Sequence, residues 1–164
     1  MPFTPFHLGP ALLIGLLFFP FLDIFALCLG SVILDLEPLY YLLFTYKGPY
    51  HGLFHTFLGA TVAGVFLSII LYPLRRYYLW LVKLFKLEQS TSFRKILVSS
   101  LIGTYSHVIL DMFLYPEMKP LYPILTNPFL NMLPSVTIYE ICIVGFLVAV
   151  PLYIIRIIIR IIKR

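Results

Sequence analysis

The sequence predicts an all-α fold: a small polytopic membrane bundle of three full spans preceded by an N-terminal broken or re-entrant hairpin. Three observations point there. First, 61% of the 164 residues are hydrophobic and only 12% charged, with a mean hydropathy of +0.99. Soluble domains carry about 25% charged residues. A chain this small leaves much of its surface outside whatever its fold, so lipid must serve as solvent. Second, the stretches 52–73, 96–115 and 136–155 each approach the roughly 20 mostly apolar residues a spanning helix needs. Third, the basic residues gather in two places, as they do beside membrane spans. Together these exclude a disordered chain, an ordinary soluble globule and a nucleic-acid-binding domain. The net charge of +5 then reads as membrane orientation. Residues 1–164 form one integral membrane domain without internal repeats.

The elements follow in chain order. Residues 1–9 show neither a basic n-region nor a small-residue cleavage site, so they are expected to stay in the mature protein. Segment 8–46 is apolar but broken by Pro10, Pro20, Asp23, Gly30 and Pro38. It is either one long tilted span or a hairpin of two short helices, about 10–19 and 22–34. A helix of about 14 residues reaches about 21 Å, short of the roughly 30 Å hydrocarbon core. The hairpin is preferred, because it makes neighbours of the polar residues at its two ends. It must then pack against protein.

Segment 74–95 carries Arg75, Arg76, Lys83, Lys86, Arg94 and Lys95 against Glu88 alone, which marks a cytoplasmic loop. Its interleaved Tyr77, Tyr78, Trp80, Leu81, Leu84 and Phe85 predict an amphipathic segment in the headgroup plane. The tail 156–164 holds Arg156, Arg160, Lys163 and Arg164 and is expected on the same side. Its i, i+4, i+8 stripe reads as a snorkelling anchor on anionic lipid. Two spans separate loop and tail, so the two assignments agree. The chain is therefore expected to be a multi-pass cell-membrane protein, with 47–51 and 116–135 facing outward.

Ionisable residues at membrane depth are costly and need partners. Here they are His7, Asp23, Asp35, Glu37, His51, His55, His107, Asp111 and Glu140, and all four histidines of the chain are among them. His51 with His55, and His107 with Asp111, are spaced i, i+4 and so would share helix faces. With Glu140 they fall at similar depth in the outer half of the three spans. Asp35 and Glu37 close the hairpin and His7 opens it. Such a set either pairs internally or binds a divalent metal. Imidazole and carboxylate suit zinc, with manganese, magnesium or iron as alternatives, and there are enough ligands for one or two ions. Bis-imidazole haem ligation by His55 and His107 is a rival that the neighbouring carboxylates disfavour. Cys28 and Cys142 lie in apolar runs without metal spacing. Asp23 is expected to cap the second short helix. Glu140, Asp23, Lys47 and Lys119 are candidates for the surround of the site, the lysines as phosphate contacts.

These residues carry a family resemblance. Met1-Pro-Phe-Thr-Pro-Phe-His7, Gly30-Ser-Val-Ile-Leu-Asp35-Leu-Glu37-Pro38, His51-Gly-Leu-Phe-His55-Thr56, His107-Val-Ile-Leu-Asp111 and Pro120-Leu-Tyr-Pro123 together resemble the membrane-bound metal-dependent hydrolases, the LexA-binding, inner-membrane-associated putative hydrolase group. The likeness covers residues 1 to about 123. It implies a hydrolytic metal centre with His7, Asp35, His51, His55, His107 and Asp111 as ligands, to which the Asp35-x-Glu37 spacing adds Glu37 as a candidate. Two positions depart from the family pattern. Glu37 stands where Asp is common, and Gly52 where Arg is common, which removes one phosphate clamp.

The expectation is an integral membrane metal-dependent hydrolase acting on a phosphoester of a lipid or lipid-linked substrate. Metal-activated water would attack, and Glu37 or Asp111 would take a proton. The partners are then membrane lipid and that substrate, with no nucleic acid. The competing expectation is a non-catalytic transporter or a metal- or proton-binding membrane protein.

Overall fold

The computed structural model describes residues 4–45 and 50–162. Among these there are six α-helices and no strand: α1 (Leu8–Leu17), α2 (Ile24–Ile33), α3 (Leu36–Tyr40), α4 (Phe57–Leu84), α5 (Phe93–Asp111) and α6 (Ser135–Ile162). A π-helical turn, Tyr41–Thr45, extends α3, and 3-10 turns precede α1 and α4. α5 is central, flanked by α2 and α4. α1 bridges α2 to α6.

The starts follow local chemistry. Asp23 caps α2 by accepting from the Ala26 N–H at 3.0 Å. Thr56 caps α4 through the Gly59 N–H at 2.9 Å, and Ser92 caps α5 through the Lys95 N–H at 3.3 Å. Each side-chain oxygen satisfies one orphan donor of a first turn.

α4 and α6 are each 28 residues long and apolar enough to cross a membrane. α2 and the α3 segment, bent by 45°, qualify together as a third, broken span or a re-entrant loop. Within the most apolar stretch of α6 only 17% of residues are buried in protein, and of α4 33%. The remainder present an apolar exterior that water would not solvate favourably.

The element boundaries differ from the sequence expectation in four ways. The region 96–115 forms α5, which ends at Asp111 and is not among the helices apolar enough to span. It starts with Arg94 and Lys95 and turns Ser99, Ser100 and Thr104 into the bundle. The span expected over 52–73 starts later, at Phe57, because Thr56 supplies the cap. It also runs on to Leu84, through Pro73. The expected loop 74–95 therefore contributes the end of this helix, and only 85–92 connect it to α5. A proline interrupts one backbone bond, which a membrane helix tolerates where neighbouring groups compensate. Beside it, Arg75 donates to the Tyr72 carbonyl at 2.8 Å and lies over the Tyr72 ring. Finally, α6 continues into the basic tail as far as Ile162.

Small residues let backbones meet. A Cβ on Gly30 of α2 would stand 2.7 Å from the Ser100 carbonyl oxygen of α5, and one on Gly103 would collide with the Leu27 carbonyl. Close approach of this kind is how apolar helices associate when lipid supplies no hydrophobic drive.

Asp23 belongs to structure. Its carboxylate also accepts from Tyr78 Oη (3.1 Å) and Thr91 Oγ1 (2.6 Å), and its backbone N–H donates to Ser99 Oγ (2.7 Å). This buried knot lies at the α2 terminus opposite Asp35, a helix length of about 15 Å away. Asp23→Ala should cost about 1–3 kcal/mol for each donor left unpaired. It should lower the melting temperature while leaving metal stoichiometry unchanged. Metal loss without destabilisation would overturn this assignment.

Candidate metal centre

Four elements bring their polar residues to one point. The break between α2 and α3 ends one helix at Ile33 and restarts at Leu36, which places Asp35 and Glu37 at the corner. α5 delivers His107 and, one turn on as its last residue, Asp111. The 3-10 turn Leu53–His55 delivers His55 just ahead of α4. The first turn, Thr4–His7, delivers His7, and Gly9 and Gly145 seat this end of α1 closely on α6.

Ligand atoms of Asp35, His55, His107 and Asp111 all lie within 4.8 Å of one another. His107 Nε2 is 3.3 Å from Asp111 Oδ2 and 3.6 Å from Asp35 Oδ1, and His7 Nε2 is 3.4 Å from Asp111 Oδ1. The His7 and His107 rings stack with centroids 3.9 Å apart. His7, His55, His107 and Asp111 are essentially inaccessible, and the Asp35 side chain is 17% exposed.

The hydrogen bonds decide which nitrogens are free. His107 Nδ1 lies 2.8 Å from the Ser31 carbonyl oxygen. A carbonyl only accepts, so Nδ1 carries a proton and Nε2 is the nitrogen turned to the cluster. His55 Nδ1 donates likewise to Glu37 Oε2 at 2.8 Å. Both Nε2 atoms lack a hydrogen-bond partner, as do His7 Nδ1 and Nε2, Asp35 Oδ2 and Asp111 Oδ1. Burial, the largest influence on His55, pushes its pKa down against the opposing pull of Glu37. The neighbouring His107 and His51 push the same way.

Buried polar atoms are nearly always paired, and a cluster with this many unpartnered atoms could hold a common partner. A divalent cation fits. Two donors each about 2.0–2.1 Å from one tetrahedral ion stand about 3.3–3.4 Å apart. The two Asp111 oxygens stand 3.3 Å from His107 Nε2 and 3.4 Å from His7 Nε2, and Asp35 Oδ1 is 3.6 Å from His107 Nε2, all long for good hydrogen bonds. The Nδ1–H bonds to Ser31 and Glu37 are of the kind that orients imidazoles where they bind a metal.

Several expected site residues sit elsewhere. Glu37 lies outside the cluster of four ligand atoms. Its Oε2 receives His55 Nδ1–H and the Gly52 N–H at 3.1 Å, so it orients His55. His51 and His55 do not ride one face of a span, since both precede α4. His51 Nδ1 donates to Glu117 Oε1 at 2.7 Å, its ring stacks on Tyr115 at 3.7 Å and meets His55 edge-on at 4.8 Å. It lines a cleft beside the cluster. Glu140 is exposed on α6, because Ile138 and Cys142, two residues to either side, take the buried face. Lys119 is exposed and borders a cleft of about 240 Å³ with His51, Gly52, Thr56, Glu117 and Tyr122. Lys47 lies outside the described residues. Sequence reasoning missed Glu117, whose non-helical surroundings give no periodicity, and the Ser31 carbonyl, which no side-chain pattern reveals.

Glu37→Ala should weaken divalent-metal affinity about 10–100-fold, the usual effect of losing an outer carboxylate. Glu37→Gln keeps an acceptor and should cost less. Equal affinity of both variants with the parent, by competition with a chromogenic chelator, would remove Glu37 from this role.

Set against known protein families, characterised proteins and solved structures, the chain matches none.

Proposed function

We propose that the chain is an integral membrane hydrolase whose His7–Asp35–His55–His107–Asp111 cluster holds a divalent metal, zinc by donor type, and that its substrate is a lipid or lipid-linked phosphoester. The observation that carries the reading is the set of buried, mutually facing nitrogen and oxygen atoms without hydrogen-bond partners. A bound ion would supply Lewis-acid charge and lower the pKa of a water molecule. The protein's part is orientation and proton handling. Ser31 and Glu37 fix the imidazole tautomers. Asp111 is flanked by His7 and His107 on its two oxygens, and Glu37 is engaged by two donors. Asp35, partly exposed and with an unpartnered oxygen, is the carboxylate best placed to accept a proton from water.

Two recesses flank the segment 51–55 and support the substrate class. The Lys119 cleft offers a cation and polar groups to a phosphate. On the other side, a groove of about 690 Å³ between α2–α3 and α4 is walled by Ile33, Leu36, Tyr40, Phe54, Phe66 and Ile70, with Glu37 as its polar residue. It suits an acyl or isoprenoid tail. Hydrolysis is favoured over transport because residues 57–74 and 96–106 contain no ionisable side chain among Asp, Glu, Lys, Arg and His. A relay across the membrane would need such groups.

The test is phosphate release from phosphatidic acid and from an isoprenyl phosphate by zinc- or manganese-loaded protein in nanodiscs. Turnover that a chelator and Asp35→Asn both abolish is expected. Metal-loaded protein inactive on both substrates would sink the phosphoester assignment while leaving the metal centre standing.

A further inference from the structure

The basic stripe of α6 plays no part in the metal centre. Arg156 and Arg160 meet Lys86, from the connection after α4, around a separate cleft of about 620 Å³. Leu16 and Phe19 at the end of α1, with Leu152, Ile155 and Ile159 of α6, form its wall. The cleft sits at the α1 terminus away from His7, so it opens at the other end of the bundle from the cluster.

Its charges do not cancel. Glu88 is the one acid in the lining, and Arg160 takes it up: the guanidinium donates to Glu88 Oε2 and to the Lys86 carbonyl, the latter at 2.7 Å. Burial pulls the Glu88 carboxyl up, but this bond and the Arg160 charge outweigh it and hold the pKa below the ordinary value, so the acid is spent on Arg160. The Arg156 guanidinium carbon lies over the Phe19 ring, 3.4 Å from its centroid, with no carboxylate within ion-pair distance among the described residues. Lys86 likewise has no acid partner among the described residues.

The backbone here is also held deliberately. Lys86 adopts φ +56°, a left-handed conformation normally given to Gly or Asn after a helix. Its N–H bonds Lys83 O at 2.9 Å, that of Leu87 bonds Val82 O at 3.2 Å, and Arg160 grips its own carbonyl. Lys86 is thereby held in the lining of the cleft that Arg156 shares.

Two unpaired cations over an apolar wall match one chemistry: a phosphate bearing net negative charge attached to an acyl chain. We propose that this cleft is a binding site for one anionic phospholipid, its phosphate between Lys86 and Arg156 and an acyl chain along Leu152, Ile155 and Ile159. A free anion would satisfy the cations but leave that apolar wall uncovered, so the lipid is the occupant.

The experiment is native mass spectrometry of the full chain, released from nanodiscs containing equal phosphatidylglycerol and phosphatidylcholine. The parent should retain one phosphatidylglycerol per chain in preference to phosphatidylcholine. The double variant Lys86→Gln/Arg156→Gln should lose about 30-fold in that preference, from about 1 kcal/mol for each of two cations. Its helicity and metal binding, read in parallel, should match the parent. If the double variant misfolds, Ile155→Gln, which makes the acyl wall polar and adds no charge beside the two cations, should reduce retention in the same way. Equal retention of the two lipids by the parent, undiminished preference in the folded variants, or displacement of the lipid by millimolar inorganic phosphate would each overturn the proposal.

Discussion

His107→Ala protein should purify without stoichiometric divalent metal, whereas the parent should carry it. This is the largest effect expected of any side-chain change in the molecule, because His107 touches every other member of the cluster. Its Nε2 faces both Asp35 and Asp111, its ring stacks on His7, and it lies edge-on to His55 at 5.2 Å. Removing it deletes one donor and also the spacer between the buried Asp111 carboxylate and the partly exposed Asp35. Without a neighbouring cationic or donor group, like charges at that range favour uptake of a proton, which competes with metal. The affinity loss should therefore exceed the 10–100-fold expected from an outer-contact change such as Glu37→Ala. Elemental analysis gives stoichiometry, and a melting curve with and without chelator gives a second measure. A ligand that binds only the folded state at 100 times its dissociation constant adds about 2.7 kcal/mol. Chelation should thus lower the melting temperature of the parent and leave that of His107→Ala unchanged. Full metal content in the variant would mean the orphaned atoms are served by something other than a cation.

How far the site could be read beforehand depends on where each residue sits. The helical character and the excess of apolar surface are written in composition. The His107–Asp111 pair is legible because both residues ride one helix, where i, i+4 spacing fixes a shared face. The same rule misleads for His51 and His55. Their spacing looks helical, but Thr56 caps α4 behind them. The Thr56-x-x-Gly59 cap carries the warning, and it outweighs the apolar run that begins at Gly52. Glu140 shows the opposite error. Its depth along the chain suggested membership, while the period of α6 gives the inward face to Ile138 and Cys142. Pro73 and Pro151 are weak boundary markers in helices this long and apolar. Glu117 and the Ser31 carbonyl were beyond reach, since the first lies in an irregular stretch and the second is backbone.

Gly103→Ala should be severely destabilising and should impair metal binding, although it touches no ligand, while Gly64→Ala should be close to neutral. Both glycines lie inside helices, where Ala is favoured over Gly by about 0.5–1 kcal/mol, so the helical gain is common to both changes. What differs is the neighbour each new methyl meets. At Gly64 it meets the Leu101 Cδ2 at 3.0 Å and Thr104 Oγ1 at 3.1 Å, side-chain ends that can shift by tenths of an ångström. At Gly103 it runs into the Leu27 carbonyl and stands 2.9 Å from the Ser31 nitrogen. That is backbone on a packed helix, so α2 and α5 must separate. Overpacking of this kind costs about 1–3 kcal/mol and sometimes more. The separation falls one helical turn from His107, whose Nδ1 reaches the Ser31 carbonyl across the same contact. Stretching that bond releases the imidazole from the orientation that aims Nε2 at Asp35 and Asp111. A second readout therefore accompanies stability: Gly103→Ala should bind metal at least tenfold more weakly, within the range seen when such orienting bonds are lost. Gly64→Ala should bind as the parent does. Indistinguishable stability and affinity in the two variants would mean that the helix contact at Gly30 and Gly103 does not position the cluster.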